Sequence, residues 1–448
     1  MRVEIGVHVP TILLPRPHTD MSAWSVVACD QYTSQPEYWE AVEKTVGQSP
    51  STLHITLPEV YLEREDKEER IAKINRAMST YLKENILVPQ GQGFIYVERE
   101  TAHGHSRKGL VLAVDLEAYD YAKGANSLIR ATEGTVIERL PPRIKIRESA
   151  VIELPHIMLL IDDEDKTVIE PLSGITNQLK KLYDFDLMMD GGHIRGYKVE
   201  DSQFVDDVMK SLEKLAKPDV FHSKYGVDAD RGVLLFAVGD GNHSLASAKA
   251  FWENLKSTLP EEEQESHPAR FALVEVVNVH DEGLQFEPIH RVVFSIDPEH
   301  LLKEMIQYYT AMGCDAEYKI FTPMENMQKE SQAAKTTPPC HMIPFITNGF
   351  NGFVEVRCPQ YNLEVGTLQA FLDQFLVRNP DAKIDYIHGN TVVEILGSQP
   401  GNMGFFLPPM DKRDLFKTVI LDGALPRKTF SMGEADEKRF YLECRKIR

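Results

Sequence analysis

Cysteine is scarce in this chain and arranged for no obvious chemistry. Cys29, Cys314, Cys340, Cys358 and Cys444 are scattered over 448 residues without a C-x-x-C pair, which removes the usual zinc and dithiol signatures and fits reduced thiols. No stretch approaches the roughly 20 consecutive apolar residues of a membrane span. The first residues, Met1 to Val7, carry an acid at Glu4 and no long apolar run, so a secretory leader is not expected. Positive charge is in deficit: 49 Lys and Arg face 68 Asp and Glu, a net charge of −19. Binding nucleic-acid backbones or anionic membranes needs clustered cations, so neither class of partner is expected. No H-E-x-x-H spacing, internal repeat or low-complexity tract occurs. These absences leave a cytoplasmic protein with a small-molecule partner, whose phosphate would need only a few local cations. A homodimer is left open.

What is present is ordinary globular composition, 42% hydrophobic and 26% charged, in a chain too long for one core. Apolar runs and turns alternate throughout. Ser25 to Cys29 reads as a short buried strand. Ile71, Ile74, Met78 and Tyr81 fall at helical spacing within Val60 to Glu84. Gly93–Val97 and Gly109–Asp115 read as strands around a His103-Gly104-His105 turn. His156–Ile161 reads as another strand, ending at Asp162-Asp163. Gln178–Tyr183 and Asp201–Ala216 read as helices, separated by the glycine-rich Gly191–Gly196. After about Asp297 the texture changes to a helix over His300–Met312, a Pro/Thr/Gln-rich stretch through Pro339, and short strands. Two domains are expected, 1–296 and 297–448, with an α/β (α+β) fold of mixed sheets.

The sharpest local pattern is Val233–Val238, fully apolar, then the polar turn Gly239 to Ser244, then a helix from Leu245 to Trp252. Strand, glycine turn and helix N-terminus together aim backbone N–H groups and a positive dipole end at one place, where an anion would sit. Asp240 is a candidate base or Mg²⁺ ligand, and His243 a candidate phosphate ligand or proton carrier. The competing reading is a type I turn whose Asp merely caps the helix. The turn matches neither the G-x-x-x-x-G-K-S/T nor the G-x-G-x-x-G pattern. A second group, Arg130, Glu133, Thr135, Arg139, Arg143, Lys145 and Arg147, concentrates positive charge in an acidic chain; arginine forks suit phosphate oxygens, and a solvated loop is the alternative. His290-Arg291 enters a strand, and Lys428-Thr429 lies in a glycine-containing turn near the C-terminus.

In order along the chain, Gly109-Leu110-Val111 with Asp115, Glu133-Gly134-Thr135 with Arg139, the strand into Asp162-Asp163, Asp240-Gly241-Asn242-His243, Asn278–Gly283 with Pro288–Arg291, and Pro426–Thr429 resemble one known pattern. It is that of the bacterial and archaeal family of unknown function DUF1015, grouped with the ParB/sulfiredoxin-like superfamily. The likeness runs from Val9 to Ile447. The resemblance implies an α/β core that handles nucleotides or phosphate, as in free-serine kinase, sulfiredoxin and the ParB nucleotide switch. In kinase-like members a D-G-H-H-R turn binds phosphates and an upstream glutamate takes the proton of the substrate hydroxyl. Here Asp240, Gly241 and His243 are kept, while Asn242 and Ser244 replace a His and the Arg. The missing arginine charge must then come from Arg139, Arg147, His290, Arg291 or Lys428. Glu133 matches the upstream glutamate, with Thr132 where a histidine commonly precedes it. Sulfiredoxin chemistry needs a cysteine in the turn, and none is there.

The resemblance implies a phosphotransferase acting on a small hydroxylated metabolite, a serine-like amino acid by analogy. ATP, ADP or pyrophosphate would be donor and Mg²⁺ cofactor, or the reaction would run backwards as dephosphorylation. Glu133, Asp240 and His243 would be catalytic; Arg139, Arg147, Gly241, Asn242, Ser244, His290, Arg291, Lys428 and Thr429 would hold phosphate or substrate. The alternative is a nucleotide-binding regulator without turnover.

Overall fold

The structure is a computed structural model and describes residues 4–33, 35–62, 64–134, 140–321 and 340–448. The fold is mixed α/β. It separates into two compact units, Met1–Gln285 with Met432–Arg448, and Phe286–Ser431. The sequence reading places one boundary between residues 296 and 297; in the structure the second unit starts at Phe286 and hands the chain back at Met432.

The first unit is organised by a large sheet. Its main strands are β1 (Phe94–Glu100), β2 (Ser106–Asp115), β3 (Ile129–Ala131), β4 (Met158–Ile161), β5 (Lys180–Asp186), β6 (His193–Val199), β7 (Phe236–Asp240) and β8 (Phe271–Asn278). They lie in the order β5-β6-β1-β2-β8-β4-β7-β3. β7 runs parallel to β3 and antiparallel to β4, and β4 runs parallel to β8. Successive side chains of a strand point to opposite faces, and both faces of this sheet are covered. Phe94, Tyr96, Leu110, Leu112, Leu159 and Val238 enter one apolar cluster, while Ile95, Val97, Val111 and Leu273 enter the other. Burial on both sides is why these strands read as unbroken apolar runs rather than alternating ones.

Several sequence expectations hold. Ile71, Ile74, Met78 and Tyr81 form the buried stripe of the helix Lys67–Lys83, and β1 and β2 turn through Gly104 at φ +79°. Two do not. Gln178–Tyr183, read as a helix, is mostly β5, which pairs antiparallel with β6 from Lys180–Lys198 to Asp186–His193; ladder pairing with a distant segment overrides a short local preference. Ser25–Cys29 is largely buried as expected, but it joins no extended sheet: Val27 makes a single bridge to Phe440.

That bridge belongs to a C-terminal strap. Leu13 pairs with Cys444, and Arg445–Lys446 pairs with Ile152–Glu153. The strap is fastened by Arg439, whose buried guanidinium donates to the carbonyl of Pro155 at 3.0 Å, to Glu275 of β8 at 2.5 Å and to Glu443 at 2.6 Å. Glu443 also accepts from the Tyr183 hydroxyl at 2.6 Å. Charged groups this deep persist because every one is paired.

The second unit carries an antiparallel sheet of β9 (Phe286–Phe294), β10 (Asp315–Phe321), β11 (Cys340–Thr347), β12 (Asn351–Arg357), β13 (Lys383–His388) and β14 (Asn402–Phe405), ordered β10-β12-β11-β14-β9-β13. The helices Pro298–Ala311 and Glu364–Arg378 contribute Leu301, Met305, Leu368, Phe371 and Phe375 to its core. The Pro/Thr/Gln-rich stretch lies outside the described residues. No described helix is long and apolar enough to cross a membrane.

Deleting one member of a buried ion-pair network leaves the others charged and unpaired. Arg439→Met should therefore lower unfolding free energy by about 3–5 kcal/mol, read from urea unfolding; a loss within experimental error would show that the strap is not held by this network.

Candidate active site

The turn after β7 is built by two glycines with different jobs. The β7–β4 register slips between Val238 and Asp240, so Gly239 is the extra residue of a bulge. A Cβ there would stand 2.9 Å from Leu160 Cγ and from Met432 Sδ. Bulges re-aim the following side chain, and here that is Asp240. Gly241 adopts φ +79°, and a Cβ on it would lie 3.0 Å from the Ile157 Cα, so only glycine fits without strain. Its amide donates to Asp240 Oδ1 at 2.9 Å. From Asn242 the chain runs into α1 (Asn242–Lys256), whose N-cap Gly241 provides no side-chain cap. The helix is seated by Leu245, Ala248, Phe251 and Trp252 in the core, and by the Trp252 indole donating to Glu117 at 2.6 Å.

Asn242 is turned inward. Its Oδ1 accepts from the Thr132 amide at 3.2 Å, and the Thr132 hydroxyl donates to the Val238 carbonyl at 2.5 Å. The side chain thus locks the end of β3 against the end of β7. Glu133 follows Thr132 directly and is half-buried, so the two parallel strands deliver Glu133 and Asp240 from neighbouring carboxyl ends. The His243 carbonyl accepts from Ser247 at 2.7 Å; His243 and Ser244 are partly exposed in the first turn of α1.

Three residues that sequence reasoning did not single out complete the setting. His156 precedes β4, and its Cδ2 would be 3.5 Å from a Cβ on Gly241. Its Nε2 faces Asp30 Oδ2 at 3.7 Å, and its Nδ1 meets the Tyr441 hydroxyl at 2.7 Å. Lys438, on the strap, places Nζ 3.3 Å from Asp240 Oδ2. Burial by itself raises the Asp30 carboxyl, but the charge of His156, a hydrogen bond from Gln31 and the charge of Lys438 outweigh it and hold Asp30 below the usual carboxylate range. Burial, then Asp30 and Glu59, push the Cys29 thiol far upward, and burial does the same to the Tyr441 phenol. Both stay protonated, which removes Cys29 as a nucleophile. The signal in the sequence was slight: Asp30 opens a polar cluster after an apolar run, while Lys438 is one lysine in a charged tail.

The remaining candidates are placed as follows. Arg147 pairs with buried Glu153 at 2.5 Å, Lys145 with Glu68 at 2.6 Å, and Arg143 with Glu59. Arg130 donates to the carbonyls of Ser127 and Gly232. Thr135 and Arg139 lie outside the described residues. His290, Arg291, Lys428 and Thr429 belong to the second unit. There Arg291 is fully buried and donates to the carbonyls of Ile289, Arg427 and Lys428, so it shapes the loop carrying Lys428 and Thr429. Thr429 donates to Pro426 at 2.6 Å, and Lys428 is exposed at φ +57°. Among the described residues no group of three or more His, Cys, Asp or Glu gathers as a metal centre. A cavity of about 320 Å³ in the first unit is lined by residues such as His8, Asp115 and Phe271, and by none of the turn.

His290 accepts from the Leu407 amide at Nδ1, 3.0 Å away, so its proton sits on Nε2. Burial lowers its pKa from 6.5 to about 4. Protonation then favours the unfolded chain: the contribution of His290 is complete above pH 6.5 and is lost as pH falls toward 4. The urea midpoint of the wild type should fall more steeply across that window than that of His290→Asn; parallel curves would refute the assignment.

No curated protein matches the chain. Among solved structures, a conserved hypothetical protein from Pyrococcus furiosus aligns over 74% of this chain and 90% of its own, at 10% identity and a TM-score of 0.35. A free serine kinase in complex with AMP aligns over 74% and 87%, at 10% identity and 0.36. SbnI from Staphylococcus aureus aligns over 74% and 82%, at 9% and 0.34. Scores this low carry no argument about fold or function. The sequence itself is more decisive: residues 13–374 match the family described as "Protein of unknown function (DUF1015)". That stretch takes in Asp30, Glu133, His156 and the whole Asp240–Ser244 turn, and the chain belongs to the DUF1015 family.

Proposed function

We propose that the protein transfers a phosphoryl group between a nucleotide or pyrophosphate and the hydroxyl of a small metabolite, at the turn Asp240–Ser244. One observation supports this above the others: a bulged strand aims a carboxylate beside the uncapped N-terminus of a helix, while Asn242 ties the strand end bearing a second carboxylate to the same place. Phosphoryl transfer asks mainly for positioning and charge neutralisation, and this arrangement supplies the first. The likeness of Asp240-Gly241 and His243 to the phosphate turn of the ParB/sulfiredoxin-like superfamily points the same way and suggests a serine-like amino acid as acceptor.

In this reading the substrate hydroxyl loses its proton to the Glu133 carboxylate as its oxygen bonds the terminal phosphorus. The bond from phosphorus to the donor's bridging oxygen breaks, and that oxygen leaves with its electron pair. His243, at the first turn of α1, faces the phosphate. Mg²⁺ held by Asp240 would neutralise donor phosphates; a single carboxylate with phosphates and water is an ordinary donor set for that ion. Arg139 and Arg147 remain proposed phosphate contacts. The cytoplasm is the proposed location. The net charge of −19 supports a small-molecule partner over nucleic acid.

A regulatory reading, nucleotide binding without turnover, draws support from Asn242, whose side chain is spent on Thr132 where kinase-like relatives carry a histidine. Phosphorus NMR separates the two. Protein incubated with Mg²⁺, ATP, ADP or pyrophosphate and a pool of hydroxylated metabolites should generate a new phosphomonoester resonance. Asp240→Ala, with an unchanged circular dichroism spectrum, should reduce its rate at least a hundredfold. Tight nucleotide binding with no new resonance would favour the regulator, and undiminished turnover in folded Asp240→Ala would overturn the assignment of Asp240.

A further inference from the structure

We propose that Lys438, carried in by the C-terminal strap, is the cation this site sets against the phosphate of its ligand. The proposal rests on the phosphotransferase reading and places a cation directly beside Asp240, in a turn where Ser244 stands in place of the arginine of kinase-like relatives.

The backbone on both sides of Lys438 is tied down by hydrogen bonds. Before it, the turn Ala435–Glu437 is closed by a reciprocal pair of hydrogen bonds between Glu434 and Glu437. After it, Arg439 is fixed at Pro155, Glu275 and Glu443, and its carbonyl accepts from the Ala28 amide at 2.9 Å. The same strap segment therefore fixes where Lys438 and Asp30 stand, because Asp30 follows Ala28 by two residues. Lys438 is only 9% exposed, with Asp240 on one side and its charge acting on Asp30.

The pairing is loose. At 3.3 Å the contact with Asp240 is longer than the about 2.7–2.9 Å of a tight ammonium–carboxylate pair, and an ammonium offers three donors. The basic side chains of the helix Leu140–Glu148 contrast with it: Lys145 and Arg147 sit 2.6 and 2.5 Å from their acids. Stability alone does not call for such a lysine, because a buried ion pair replaced by apolar groups is often no loss. What the arrangement does offer is an ammonium beside the phosphate turn that can exchange one carboxylate oxygen for a phosphate oxygen. The Asp240 carboxylate at the same turn calls for a cation between itself and a phosphate, so the ligand class that fits is a phosphate chain arriving with its own divalent cation, such as a nucleoside diphosphate or pyrophosphate with Mg²⁺.

Calorimetric titration of the full chain with ADP or pyrophosphate plus Mg²⁺, and with AMP, tests this without reference to turnover. Lys438→Met should weaken ADP binding roughly ten- to a hundredfold, the worth of a charge-assisted hydrogen bond, and AMP binding less. Lys438→Arg should restore most of the affinity, and Lys446→Met, which removes an exposed charge from the same strap, should leave it unchanged. Should Lys438→Met not fold, Lys438→Gln keeps a polar side chain without the charge and should show the same loss. Wild-type affinity for ADP in a folded Lys438→Met or Lys438→Gln protein would overturn the role of Lys438 and leave the phosphotransferase reading standing. A wild-type protein that binds neither ADP, AMP nor pyrophosphate would bring down both.

Discussion

The guanidinium of Arg439 spans parts of the first unit that are remote in sequence. It joins the strap to the segment just before His156 and to β8, across sequence separations of 284 and 164 residues. Because a buried charge tolerates no vacancy among its partners, these contacts are close to obligatory once the sheet has formed. Their geometry then carries outward. The carbonyl of Arg439 binds the Ala28 amide, which sets Asp30; its neighbour Lys438 meets Asp240; and Tyr441 meets His156. The polar groups around the turn thus inherit their positions from a core ion pair rather than from their own weak contacts.

The sheet supplies the other half. β3 and β7 are parallel neighbours, so their carboxyl ends open at the same edge, where a strand ends and a helix begins. Ligands in open α/β sheets commonly sit at that kind of edge, against helix N-termini. Gly239 and Gly241 make the passage from strand to helix short enough that Asp240 stays beside the helix start. Asn242 then spends its amide on Thr132 instead of facing solvent. Asn242 is a brace between the two strands.

How much of this the sequence discloses depends on whether the signal is local. The strand–turn–helix at Asp240 is legible because an apolar run, two glycines and a helical stripe all lie within two dozen residues and agree with one another. The same logic fails at Gln178–Tyr183, where the winning interaction is a ladder with β6 that leaves no mark in the segment's own composition. Arg291 is the instructive case among the proposed phosphate ligands. An arginine entering a strand invites an anion, yet burial gives it three carbonyls to satisfy, and nothing in a linear pattern separates those two fates.

Lys438 shows the converse. In sequence it is one charge in a tail of alternating acids and bases, and it lies beyond the stretch that matches the family. In the fold its surroundings are dictated by Arg439 on one side and a self-capped turn on the other, so a residue with no motif acquires a defined address. The reason is energetic: an exposed lysine loses rotamer freedom for an ion pair worth little, whereas one anchored by a buried neighbour arrives with much of that ordering already imposed by the backbone. In an arrangement assembled this way, the carboxylate of the turn meets a charge from a segment nearly two hundred residues later. On that argument, the turn at Asp240 and the position of Lys438 on the strap are two parts of one electrostatic arrangement.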